Sequence, residues 1–166
     1  MAEGEKLIAS HPTARSDYFI EEVVEAGIML TGTEIKSIRA TSPSLKDAFV
    51  DIHPAGGGPS GSKKAKGGLE AWLVQSHIAP YSHGNIYNHE PLRRRKLLLH
   101  RHQIDRMFGS ITQDGLTIIP LRMYYKKGRV KLELGLAKGK KKHDKREDIK
   151  KKSAEREMDH ARKRNR

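Results

Sequence analysis

The residues of this 166-residue chain best suited to chemistry at neutral pH are its nine histidines, since cysteine is absent. His100 and His102 begin a predicted helix, and side chains two residues apart on a helix point about 200° apart, so this pair cannot share a metal. No glycine-rich phosphate loop follows a strand, and no serine has a nucleophile-elbow context. We therefore expect no catalytic set, no metal and no cofactor. A nucleic-acid-modifying enzyme that uses the histidines between 77 and 102 is an alternative hypothesis.

Two clusters of basic residues suggest a different chemistry, the neutralisation of phosphates. Lysine and arginine release counterions from nucleic acid, and exposed tyrosines stack on unpaired bases. Either cluster alone could equally be a solvated face of the protein. The first cluster, before the predicted helix, is Arg93, Arg94, Arg95 and Lys96, and the second, at a predicted hairpin tip, is Tyr124, Tyr125, Lys126, Lys127 and Arg129.

The C-terminal segment carries most of the net charge. The formal net charge is +13, and the last 31 residues, from Leu136, hold 14 lysines and arginines against 6 acids, a net of +8. Asp144 and Glu147 have the spacing of a helix-capping pair, and basic residues close the segment, which complements a helix dipole. We predict a tail that is disordered alone and becomes helical on a polyanion; a permanently disordered solubilising tail is the alternative.

The body of the chain has the hydrophobic pattern of an antiparallel β protein. Val130, Leu132, Leu134 and Leu136 alternate with polar residues or glycine, which predicts the last strand of the body. Thr31 and Glu34 predict the capping box of a short helix over 34–40, and an apolar stripe that includes Leu97 predicts a second helix. Further strands are predicted over 45–53, 69–78 and 116–125, with Pro120 at an edge or bulge, and a hairpin turning at Ala26-Gly27 is predicted within 18–30.

These elements predict a mainly β fold with short helices, an oligonucleotide-binding-like antiparallel barrel that is closed or nearly closed. The domain boundaries that we expect are a flexible leader over residues 1–16, the barrel over 17–137 with a flexible Gly/Lys loop at 54–68, and the basic tail over 138–166. No apolar run approaches 18 residues and no signal peptide precedes the body, so we expect a cytoplasmic monomer without a membrane anchor.

Four segments, in chain order from about Ala14 to Ile149, resemble a known family. They are DYFIEEVVEAGI, LTGTEIKSIRA, RKLLLHRHQIDRM and GLAKGKKKHDKREDIK, and they are similar to the SmpB family of SsrA-binding proteins. The resemblance implies a non-enzymatic protein that binds the tRNA-like domain of tmRNA and delivers it to stalled ribosomes for trans-translation. It also implies that the tail enters the empty mRNA channel beyond the decoding centre, against 16S rRNA. A general single-strand-binding or architectural protein is the alternative.

The resemblance, together with the basic clusters, defines candidate residues. It places RNA binding on the acid after the first strand, on the EIKSIR motif and on the RKLLL motif, where we interpret Leu98 as core support. The predicted RNA-binding residues are Glu25, Glu34, Lys36, Arg39, Arg93, Arg94, Arg95, Lys96, Tyr124, Lys126 and Lys127. The residues that the resemblance assigns to the ribosome are Lys138, Gly139, Lys140, Lys141, His143, Asp144, Lys145 and Arg146, with Gly139 turning the backbone into the channel and His143 stacking on an rRNA base.

Overall fold

The structure is a computed structural model that describes residues 5–55, 68–84 and 88–141 and four single tail residues, Asp144, Ser153, Glu157 and Met158. The described ranges contain seven strands and three helices. In chain order these are β1 (Glu5–Ser10), α1 (Ala14–Asp17), β2 (Tyr18–Ile28), α2 (Gly32–Ala40), β3 (Phe49–Pro54), β4 (Leu69–Val74), β5 (Arg95–Leu98), α3 (Arg101–Asp114), β6 (Thr117–Lys126) and β7 (Arg129–Gly139).

The strands form one antiparallel sheet with the order β1-β6-β7-β2-β5-β4-β3. The prediction of a mainly antiparallel β fold with short helices is confirmed. The sheet curls far enough that Cα atoms of β3 and β6 come within 8 Å of each other. No hydrogen-bonded ladder joins the two end strands in the described ranges, so the barrel is open.

The core lies inside this curl. The alternation in β7 places Leu132, Leu134 and Leu136 there, and α3 adds Ile104 and Met107. The predicted apolar stripe of α3 is therefore confirmed from Ile104 onward. The predicted bulge is confirmed too, since the register of β6 against β7 shifts between Pro120 and Arg122.

The leader differs from its prediction. Residues 1–16 are predicted to be flexible, but Glu5–Ser10 pair with Arg122–Lys126 as edge strand β1. The segment has little hydrophobic alternation, and its position follows from backbone pairing to the edge that β6 presents.

The first predicted hairpin is wrong, because β2 runs without a turn from Tyr18 to Ile28. Gly27 lies opposite Leu98 of β5, and a Cβ built at Gly27 would be 3.1 Å from the Leu98 Cβ. The glycine therefore admits a neighbouring strand and does not mark a turn.

The helix predicted to begin near Leu97 begins at Arg101. Residues 95–98 form β5 between β2 and β4, and Leu97 is 2% exposed. The basic cluster at 93–96 therefore leads into a strand. An apolar run of this length is compatible with a helix or a strand. Pairing with β2 and β4 makes it a strand.

Strand β7 is longer than its prediction and ends at Gly139, with Lys138 opposite Phe19 and Gly139 opposite Tyr18. The barrel therefore includes two residues that the sequence assigns to the tail. Strands β3 and β4 flank the predicted 54–68 loop, of which residues 56–67 lie outside the described ranges.

Candidate nucleic-acid interface

Glu34 lies at the centre of a buried ion-pair cluster. The Arg93 guanidinium donates to both Glu34 carboxylate oxygens at 2.8 and 2.6 Å, and Arg95 Nε donates to Oε1 at 2.8 Å. The backbone N–H of Thr31 donates to Oε2 at 2.9 Å, which confirms the predicted capping box. Burial alone would raise the pKa of Glu34, but the bonds from Arg93 and Thr31 and the charge of Arg95 outweigh it and lower the pKa to about 2.

Arg95 is an internal support of the fold. Its side chain is 0% exposed, and its remaining N–H groups donate to the carbonyls of Ser76 at 2.6 Å, Pro91 at 2.9 Å and Arg93 at 3.1 Å. Glu34 and Arg95, which the sequence predicts to contact RNA, are both covered by protein. In the described part of the chain their role is to fasten α2 to the segments around residues 76 and 91.

Other predicted residues do reach the surface. Lys36 and Arg39 are exposed on α2, and the Lys36 ammonium lies 5.8 Å from the ring centroid of Tyr81. Arg94 is half-buried and lies 3.4 Å from a carboxylate oxygen of Asp51. These cations stay candidates for phosphate contacts.

Glu25 organises a second network, on the outer face of the sheet, in which the charged side chains are partly exposed. Tyr124 Oη and Lys126 Nζ both donate to its Oε2 at 2.7 Å, and Lys131 Nζ lies 3.5 Å from Oε1. The bonds from Lys126 and Tyr124 lower the pKa of Glu25 to about 2, so it is ionised at neutral pH. Tyr124 is only 2% exposed and burial raises its pKa, which corrects its predicted role: its ring cannot stack on a base. Lys127 is exposed in the turn between β6 and β7.

A groove of about 690 Å³ begins beside Glu25. It lies where β2, β4, β5, β7 and α3 meet, and Leu98, 54% exposed, forms part of its wall. The interpretation of Leu98 as core support is therefore wrong, since its neighbour Leu97 takes the core position. The side chains that carry the polar and charged lining include Glu25, Lys131, Lys96, Glu70, His100 and Gln103.

Several groove residues were not among the predicted candidates. Lys131 carries a signal in the sequence, because it alternates with the buried leucines of β7 and must point outward. Trp72 is not part of the groove lining but lies on the same outer face of the sheet, since its neighbours Ala71 and Leu73 are fully buried on the core side. Its indole stacks on His53 with centroids 6.0 Å apart, and its strand position is opposite Lys96.

The rings of His100 and His102 do not point apart as the sequence predicts. His100 is the N-cap residue of α3 and precedes its first turn, so its ring stacks on that of His102 with centroids 5.7 Å apart. The 200° separation expected within a helix does not apply. Among the described residues, no group of three His, Asp or Glu side chains could hold a metal ion.

A comparison with protein families identifies the chain's relatives. The family model described as "SmpB protein" matches residues 8–164. The chain belongs to the SmpB family. Among curated relatives, the SsrA-binding protein of Anoxybacillus flavithermus is 52% identical over 162 residues, which cover 97% of this chain and 96% of the relative. The SsrA-binding protein of Acetivibrio thermocellus is 51% identical over 160 residues, 96% of this chain and 95% of the relative.

A solved structure of the SmpB family has the same fold. It is described as "tmRNA-SmpB: a journey to the center of the bacterial ribosome" and matches with a TM-score of 0.61 and 38% identity, over 87% of this chain and 95% of that one. Among the described residues of this SmpB-family chain, no helix is long and apolar enough to cross a membrane.

The predicted tail motif of this SmpB-family chain begins inside the barrel. Lys138 and Gly139 are the last residues of β7, and the extended backbone at Gly139 does not support its predicted turn. The Lys141 N–H donates to Asp144 Oδ2 at 3.0 Å, at the start of the predicted tail helix. His143, Lys145 and Arg146, and most of that helix, lie outside the described residues.

Proposed function

We propose that this chain binds the tRNA-like domain of tmRNA in the groove beside Glu25 and delivers it to stalled ribosomes for trans-translation. The observation that carries the proposal is the groove itself, in which half-exposed lysines and an exposed leucine surround an ionised glutamate. Membership of the SmpB family supports it, as do relatives named SsrA-binding protein and a similar structure described with tmRNA.

In this proposal the lysines of the groove bind phosphates. Lys96 Nζ donates to Glu70 at 2.5 Å and Lys131 lies 3.5 Å from Glu25, so each ammonium is already oriented before RNA arrives. An ammonium has three donors, which leaves capacity for a phosphate oxygen. The release of counterions from the RNA then favours association.

In this proposal Glu25 and Leu98 give the groove its selectivity for a folded RNA. Ionised Glu25 is an acceptor with two oxygens, so it can accept from a base amino group or a ribose hydroxyl as well as from its present donors. Leu98 offers an apolar surface next to it, and the Trp72–His53 pair extends the same outer face. A folded RNA elbow with an exposed base edge suits this combination better than a uniform strand does.

The tail completes the proposed function. It carries most of the net positive charge, and we assign to it the empty mRNA channel and the 16S rRNA around the decoding centre, as the ribosome-binding part of the protein. The protein acts by binding and shape, without catalysis. The place of action is the bacterial cytoplasm, where the ribosomes are.

Competition binding tests the proposal. The full chain, at several salt concentrations, is titrated with labelled tmRNA against unlabelled elongator tRNA and unlabelled single-stranded RNA. We expect tmRNA to be bound in preference to both competitors, with a preference that persists as salt rises, because charge alone loses affinity steeply with salt. Equal affinity for all three RNAs at matched salt would instead support a general single-strand-binding protein.

The position of the site is tested with two lysines. Lys131→Gln should weaken tmRNA binding about five- to eight-fold at about 0.1 M salt, since one phosphate contact contributes a salt slope of about 0.7–0.9. Lys46→Gln is the matched control, because it removes the same charge from an exposed lysine that does not line the groove. A loss of affinity that is equal in the two variants would show that only net charge matters and that the groove is not the site.

A further inference from the structure

Lys140, the first residue after β7, is bound to the barrel at three points. Its backbone N–H donates to the carbonyl of Asp17 at 2.9 Å, and its Nζ donates to the carbonyl of Arg15 at 2.8 Å. The ammonium also lies 4.6 Å from the ring centroid of Phe19, within cation–π distance. A residue that the family motif assigns to the ribosome is thus engaged with its own protein.

We call the contacts of Lys140 with Arg15, Asp17 and Phe19 the Lys140–Phe19 clamp. Its barrel side is firmly held. Helix α1 is anchored by Ala14, which is 4% exposed and packs with Ile119 and Ala137. Phe19 follows α1 on β2 and is fixed by its pairing opposite Lys138. Its ring is nevertheless 48% exposed, so the core does not account for a phenylalanine at this position.

The clamp lies immediately before the tail helix is predicted to begin. The Lys141 N–H already donates to Asp144, so the first contact of the tail follows the clamp directly in the chain. Rotation about the backbone of Lys140 would swing everything beyond it. The three contacts to this fixed surface restrict that rotation.

We infer that the Lys140–Phe19 clamp sets the direction in which the tail leaves the barrel, so that Phe19 and Lys140 are positioning residues for the tail. The inference rests on the proposed function, because a fixed exit direction matters only when the tail must reach the mRNA channel while the groove holds RNA. Pre-orientation reduces the conformational entropy that the tail loses on binding.

Phe19→Leu tests the clamp without changing any charge. Because the chain has no cysteine, a nitroxide on Ser153→Cys gives a single label whose broadening of barrel amide signals maps the tail. Phe19→Leu should alter this map and remove the ring-current shift of the Lys140 side-chain protons. Rescue of stalled ribosomes in a reconstituted assay should fall about two- to five-fold, the size of an exposed cation–π contact, with tmRNA affinity unchanged.

Three further variants distinguish a positioning role of the clamp from direct binding of Lys140 to the ribosome. Phe19→Tyr keeps an aromatic face and should restore the map and the rescue rate, and Phe49→Leu, at another exposed phenylalanine, should change neither. If Phe19→Leu resembles the unmodified chain while Lys140→Gln abolishes rescue, Lys140 acts directly on ribosomal RNA and the inference is overturned. Absence of selective tmRNA binding by the unmodified chain would contradict the proposed function; the NMR readouts of the clamp do not depend on it.

Discussion

Replacing Glu34 with alanine is expected to destabilise the fold by about 3–5 kcal/mol, because it leaves the fully buried Arg95 charge without a carboxylate. For a chain of this size the midpoint of thermal unfolding should fall by about 6–20 °C. The RNA affinity of the variant should fall only in proportion to the unfolded fraction. Urea unfolding and RNA binding, measured at the same temperature, check both expectations.

Two variants control this experiment. Lys36→Ala, on the exposed side of the same helix, should change the free energy of unfolding by no more than about 0.5 kcal/mol. The double variant Glu34→Gln/Arg95→Met removes both charges and should recover much of the loss. If Glu34→Ala unfolds like the unmodified chain but binds RNA weakly, Glu34 contacts RNA after all.

The Glu34 carboxylate also makes the stability of the fold depend on pH. Its pKa is lowered by folding from the ordinary 4.5 to about 2, so its contribution to stability is complete above pH 4.5. That contribution is lost as the pH falls from 4.5 to about 2, since protonation then favours the unfolded chain. The stability of Glu34→Gln, measured by urea unfolding across this range, should therefore depend less on pH than that of the unmodified chain.

Truncation after Lys141 is expected to abolish ribosome rescue while leaving the fold and the preference for tmRNA intact. All of β7 and the Lys140 contacts remain, so the free energy of unfolding should change by no more than about 0.5 kcal/mol. Binding at low salt should weaken because positive charge is lost, but selectivity over elongator tRNA should persist. Circular dichroism, competition binding and a rescue assay measure the three properties.

A second truncation, after Gly135, tests where the barrel ends and the tail begins. It removes Leu136 and Ala137, which are 2% and 0% exposed, and the pairing of β7 with Tyr18 and Phe19. Loss of the leucine alone should cost about 2–5 kcal/mol. This chain should therefore lose stability and RNA binding together. If the longer chain, ending at Lys141, also loses selectivity for tmRNA, the tail takes part in RNA recognition and the proposed division of roles is wrong.

The sequence by itself determined the elements whose signals are local. The alternation of leucines in β7, the Thr31–Glu34 capping box and the stripe of α3 from Ile104 onward each depend on residues within a few positions of one another, and the structure confirms all three. The order of residues in the four motifs was sufficient to predict the family, which the comparison confirms.

Only the tertiary structure decided what depends on distant partners. Residues 5–10 and 95–98 are strands because other strands, far away in sequence, present backbone groups to them, and Gly27 makes room for β5. Arg93, Arg94 and Arg95 look alike in the sequence, yet Arg95 is fully buried because Glu34, 61 residues earlier, lies beside it. Short-range periodicity cannot encode such pairings, since the burial of a charge is a property of the folded chain around it.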